Sequence, residues 1–217
     1  AHPRMTIPLP KMATGGGDLS FSGYFQSEQY WLGRRSQVRQ MISILLGPVA
    51  EKQHTGPDVW AVHVRRGDYL KNPLHRVKGI WPGYYDKCLA DIRCRNPAPE
   101  KIKLLVFSDD LQWCGSNVLG RYPASEFDVQ LAPSEPGGAL ADLKAMAACG
   151  AGIVCANSTF SWWAAFAGFS KYPDRPAYMP DKFINRNCDT RGHTLMCSGV
   201  GEIRVIDISQ EDPRPLR

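Results

Sequence analysis

Short β-rich runs that alternate with helical segments, several of them ending in polar clusters, constrain this chain most. VWAVHV (59–64) is an apolar, β-branched run that opens directly into Arg65-Arg66-Gly67-Asp68. KIKLLVF (101–107) ends in Ser108-Asp109-Asp110, and GIVCA (152–156) ends in Asn157-Ser158-Thr159. EFDVQLA (126–132), AYM (177–179) and EIRVIDI (202–208) read as further strands. Between them, 84–94, 137–150 and 160–169 carry apolar residues at helical spacing, and a helix is expected over 27–46 before Gly47-Pro48. Strands alternating with helices predict an α/β fold with a parallel sheet covered on both faces. In such sheets ligands bind beyond the carboxyl ends of the strands, near the point where strand order reverses. The three polar clusters should therefore converge on one edge.

Each cluster has a chemistry and a plainer alternative. Arg65 and Arg66 offer two planar, permanently charged forks suited to phosphate, each charge-assisted hydrogen bond contributing about 1.5–3 kcal/mol. They could equally form a solvated basic turn, and Arg66-Gly67-Asp68 is also the tripeptide that integrins bind on exposed loop tips. His63 is expected to face away from Val62 and Val64, because strand side chains alternate. Asp109 and Asp110 suit ribose hydroxyls, guanine N–H groups or a Mg²⁺ ion, or simply cap the next turn. Ser158 or Thr159 can cap a helix starting near Phe160, whose free N–H groups would then face a phosphate. Asn157-Ser158-Thr159 is a glycosylation sequon, but a strand end is a poor place for modification. Trp162 and Trp163 read as core or as the wall of a sugar pocket. Asp142, within the apolar LADLKAM, needs a partner, a ligand or solvent.

The bulk numbers exclude some classes. A net charge of +5 with no basic run longer than two residues does not argue for nucleic acid. Seven cysteines without a C-x-x-C pair suggest neither a zinc site nor a dense disulfide framework. Cys149 and Cys155 read as buried; Cys188 and Cys197 flank a polar loop and could pair in an oxidising compartment. No apolar stretch approaches the roughly 18 residues of a membrane span.

Taken in order, GYFQSEQYW (23–31), HVRRGDY (63–69), VFSDDLQWC (106–114) and NSTFSWWAAF (157–166) resemble the motifs of the α-1,2-fucosyltransferases, glycosyltransferase family 11. The resemblance spans about residues 20–185. It implies a GT-B-like arrangement of Rossmann-type domains. Residues 1–55 would be a linker and a remnant of the acceptor-side domain, and 56–217 the C-terminal nucleotide-sugar-binding domain. It further implies inverting transfer of L-fucose from GDP-β-L-fucose to the 2-hydroxyl of a galactose-terminated glycan, with no metal and no other cofactor. Carried over residue by residue, Arg65 would hold the β-phosphate and Arg66 support the loop, with His63 and Asp142 near the guanine. Asp109 and Asp110 would contact the nucleoside or order the loop, and Asn157, Ser158, Thr159, Phe160 and Ser161 would line the phosphate and fucose end. Asp68 would either orient Arg65 or act as base toward the acceptor. Two departures stand out: the family's N-terminal Gly-Gly-Leu-Gly-Asn-Gln-type segment has no counterpart, and Ala164-Ala165 replaces a Gly after the tandem tryptophans. A eukaryotic member would be expected in the Golgi lumen with a membrane anchor upstream of Ala1, a bacterial one in the cytoplasm. The alternative expectation is an incomplete or inactive GDP-sugar-binding module.

Overall fold

Every residue of the first strand, β1 (Val59–Val64), is buried, so the strand must have a neighbour on each edge and a layer on each face. The computed structural model, which describes residues 32–47, 54–98, 100–133, 137–184 and 202–208, provides them. β2 (Ile102–Ser108), β3 (Phe127–Leu131), β4 (Gly152–Val154), β5 (Pro176–Pro180) and β6 (Glu202–Ile206) join β1 in one sheet of order β3-β2-β1-β4-β5-β6. All five pairings are parallel. This is the Rossmann-type doubly wound order, and it reverses between β1 and β4.

Alternation along β1 divides the core. Val59 and Ala61 pack into one cluster with Ile153, Trp162 and Phe166, under α4 (Gly138–Ala148) and α5 (Thr159–Gly168). Trp60, Val62 and Val64 pack on the other face with Leu89 and Ile92 of α2 (Tyr85–Arg95) and Cys114 of α3 (Leu111–Asn117). His63 has the parity of Val59 and Ala61, and its ring lies 5.5 Å from that of Phe160. Trp60 is paired with Gly152 in register, where a Cβ would lie 2.2 Å from the indole; only glycine lets β4 pass.

Where β1 and β4 part, backbone carbonyls would be left without partners. Two buried tyrosines meet them: Tyr85 Oη donates to the His63 carbonyl and Tyr84 Oη to that of Cys155, both at 2.8 Å. A second buried polar anchor is Arg175, 3% exposed, inserted between two helix ends. Its guanidinium donates to the carbonyls of Met146, Ala147 and Cys149 at the end of α4 and of Ala164 and Ala165 in α5. Burial lowers its pKa to about 10, so it stays charged at neutral pH and complements both helix dipoles. Gly168 makes room, since a Cβ there would lie 2.0 Å from the guanidinium.

All six expected strands are present, each shifted by no more than two residues at either end. The expected helix over 27–46 is described only from a 3-10 turn at Leu32–Arg34 into α1 (Arg35–Leu46). Although it precedes the expected boundary at residue 56, α1 packs through Val38 and Ile42 onto the α4–α5 cluster. Helix α3 was not expected at all. The motif at 23–31 and the Cys188–Cys197 loop lie outside the described residues. Cys149 and Cys155 are buried as expected. Among the described residues no helix is long and apolar enough to cross a membrane.

Replacing Arg175 by Met should keep the bulk but leave several carbonyls unsatisfied. Urea unfolding is expected to reveal a loss of about 3 kcal/mol or more.

Candidate active site

Asp109 ties the carboxyl ends of β1 and β2. Asp109 accepts the Arg66 backbone N–H through Oδ1 at 2.9 Å and the Arg65 guanidinium through Oδ2 at 3.0 Å. Arg65 also donates to Asp68 at 2.6 Å. The backbone between them must come close: a Cβ on Gly67 would lie 2.3 Å from Asp109 Oδ2. Gly67 therefore permits this approach, since a side chain there would meet the Asp109 carboxylate.

Arg66 points elsewhere. Its guanidinium lies 3.5 Å from the centre of the Trp113 ring, and its Nε donates to Asp110 at 3.2 Å. Asp110 also caps α3 by accepting the Trp113 N–H. With Arg66 stacked, Gly67 against Asp109, and Asp68 paired to Arg65, the tripeptide is not a loop tip offered to an integrin.

Beside this junction lies a cleft of about 560 Å³. Arg65, Asp68 and Asp109 line it together with His63, Ser158, Thr159 and Phe160. The start of α4 contributes Gly138, Ala139 and Asp142. Ser158 is the N-cap of α5, accepting the Phe160 N–H at 3.3 Å, so the positive end of a ten-residue helix faces the cleft. His63 is buried, which together with the nearby Arg65 charge lowers its pKa to about 3. The ring is thus neutral, and its Nδ1 has no hydrogen-bond partner, leaving a buried polar atom in the cleft wall.

Four of the expected site residues lie off this cleft. Arg66 and Asp110 form the stacked and capping layer behind it. Ser161 is fully buried, its hydroxyl directed at the carbonyls of Ala156 and Ser158. Asn157 is 4% exposed and donates to the carbonyls of His75 and Phe183, pinning the 72–77 loop to the end of β4; that burial also suits the sequon being left bare. Trp162 is core and Trp163 is half-buried against it. Ala164 and Ala165, after the tandem tryptophans, are fully buried and supply carbonyls to Arg175. Sequence reasoning missed Tyr69 and His75, whose stacked rings, 4.7 Å apart, also line the cleft. Tyr69 sits inside the quoted motif; nothing local marks His75. Among the described residues no group of three or more His, Cys, Asp or Glu could hold a metal ion.

The model of the family Glycosyl transferase family 11 matches residues 17–171. Curated relatives include an alpha-1,2-colitosyltransferase of Escherichia coli, 28% identical over 69% of this chain and 51% of its own length. The O-antigen biosynthesis glycosyltransferase WbnK of Escherichia coli is 33% identical over 58% of this chain and 39% of its own. The galactoside 2-alpha-L-fucosyltransferase Sec1 of Mus musculus is 34% identical over 48% and 27%. The chain spans about half the length of these relatives or less.

Two outcomes are expected. Gly67→Ala should displace the Asp109 carboxylate, destabilising the fold by about 1–3 kcal/mol in denaturant titrations and weakening ligand binding in the cleft. Because the folded value of His63 lies below its ordinary 6.5, its contribution is complete above pH 6.5 and is lost as pH falls toward about 3. The slope is up to about 1.4 kcal/mol per pH unit. Unfolding free energies of His63→Leu should fall less steeply than wild type across that window.

Proposed function

The chain belongs to glycosyl transferase family 11, and on that basis we propose that it forms the donor-binding half of an inverting fucosyltransferase. The donor is GDP-β-L-fucose, the acceptor is the 2-hydroxyl of a galactoside, and the reaction needs no metal. The observation that carries this reading is the meeting of Arg65 with the N-terminus of α5 in one cleft at the switch point. Both present positive charge where a diphosphate would leave.

In the transfer, the acceptor oxygen attacks the anomeric carbon from the face opposite the nucleotide. The carbon–oxygen bond to the β-phosphate breaks, and the electron pair stays on GDP. Arg65 and the α5 N–H groups receive that charge. Neutral His63, with its free Nδ1, and Asp142 recognise the base. Arg65 begins bound to two carboxylates. Asp109 is held in addition by the Arg66 N–H, whereas Asp68 is 66% exposed and its ion pair is worth at most about 1 kcal/mol. A phosphate therefore displaces Asp68, which is freed to accept the acceptor proton directly or through a water.

Calorimetric titration with GDP and GDP-fucose tests this. Wild type should bind both in the micromolar range, EDTA should not alter binding, and Arg65→Ala should weaken it by about 10-fold or more, the loss of one charge-assisted pair. No binding of either ligand would overturn the reading. Binding by the chain without transfer to lactose would support the narrower reading of a GDP-sugar-binding module.

A further inference from the structure

A second cleft, of about 730 Å³, lies on the α2–α3 side of the same strand end. Arg65, Tyr69 and His75 line both clefts, so this trio is a partition with a pocket on either side. The two pockets differ in charge. The first contains the carboxylates of Asp68, Asp109 and Asp142. No acidic side chain lines the second. Its walls carry Arg76 and Lys78, both exposed, and neither is in an ion pair among the described residues. Arg65 and Arg66 are already committed to Asp109 and Asp110. The free charge of the second cleft is therefore that of Arg76 and Lys78.

Its shape is held rather than incidental. The loop that carries both cations is fastened by the Asn157 amide to the His75 carbonyl, and its tip by the Leu74 N–H to Asn72 Oδ1. Trp81 stands edge-on to Trp113, 4.9 Å between ring centres, and both line the cleft, Trp113 with one face covered by Arg66. Flat indole surfaces accept the apolar faces of sugar rings, and a few placed charges set orientation.

We propose that this second cleft binds the acceptor glycan, and that the acceptor it selects carries a negative group, a phosphate or a carboxylate, held by Arg76 and Lys78. The assignment to an acceptor rests on the transferase reading above. A transferase must bring two substrates to one point, and the partition of Arg65, Tyr69 and His75 is the only wall common to the two described clefts that hold it. Selection by charge needs no further assumption, because an uncompensated pair of cations favours an anionic partner and disfavours a cationic one.

Titrations of the chain with lactose, sialyllactose, galactose 1-phosphate and inorganic phosphate, with and without saturating GDP, test this. One or both anionic sugars should bind at least about 10-fold more tightly than lactose, and more weakly as salt is raised. The sialyl and phosphate arms identify which anion is recognised. The double variant Arg76→Ala/Lys78→Ala should abolish that preference while leaving GDP affinity unchanged. Equal affinity for neutral and anionic sugars, a preference that survives the double variant, or inorganic phosphate binding as tightly as the sugars would overturn the proposal. So would the absence of any sugar binding at about 10 mM. Loss of GDP binding with anionic-sugar binding intact would sink the transferase reading and leave the charged glycan cleft standing.

Discussion

One carboxylate organises the strand ends. Asp109 gathers a backbone N–H from the β1 exit and a guanidinium from the residue before it, and does so against a glycine that leaves no space for a side chain. Charge-assisted bonds of this kind are roughly twice as strong as neutral ones, and here they act where the sheet ceases to hold the chain. Once Asp109 is fixed, Arg65 must lie along the edge of the sheet, between the two clefts. Its neighbour Arg66 is turned away, onto Trp113 and Asp110. Two adjacent arginines thus have different tasks, one facing the cleft and one bracing the loop and the start of α3.

The same strand sets the chemistry on both sides. Alternation along β1 sends His63 toward α4 and α5, where burial keeps it neutral beside a helix N-terminus. The switch in strand order opens the crevice there, and the hydroxyls of Tyr84 and Tyr85 satisfy the carbonyls that the crevice exposes. On the opposite side the 72–81 loop supplies cations and aromatic rings without a carboxylate. A donor that leaves as an anion and an acceptor that arrives as one would then approach Arg65 from separate directions.

Much of this was legible in the sequence, and the reason is periodicity. Strands buried on both faces appear as continuous apolar runs, so VWAVHV and KIKLLVF announced themselves, and the polar residues after each run marked the edge at which the cleft lies. The convergence of Arg65, Asp109 and Ser158 followed from topology alone. What depends on tertiary contact was hidden. Helix α3 is seven residues long and carries a glycine, too short for a periodic signal. His75 meets Tyr69 from a loop whose His75 carbonyl is held by Asn157, in a distant motif. Ser161 belongs to a motif by sequence but points into the helix turn. Nothing local in the sequence marks Arg175, because its burial depends on two helix ends arriving at the same place.

The central claim is that the cleft between β1, α4 and α5 receives the diphosphate of a nucleotide sugar. A crystal structure of the chain with GDP tests it most directly. The expected density has the β-phosphate between the Arg65 guanidinium and the first N–H groups of α5, Asp68 swung away, and the base against His63 and Asp142. Diphosphate density in the Arg76–Lys78 cleft instead, or an Arg65–Asp68 pair left intact beside bound GDP, would contradict it.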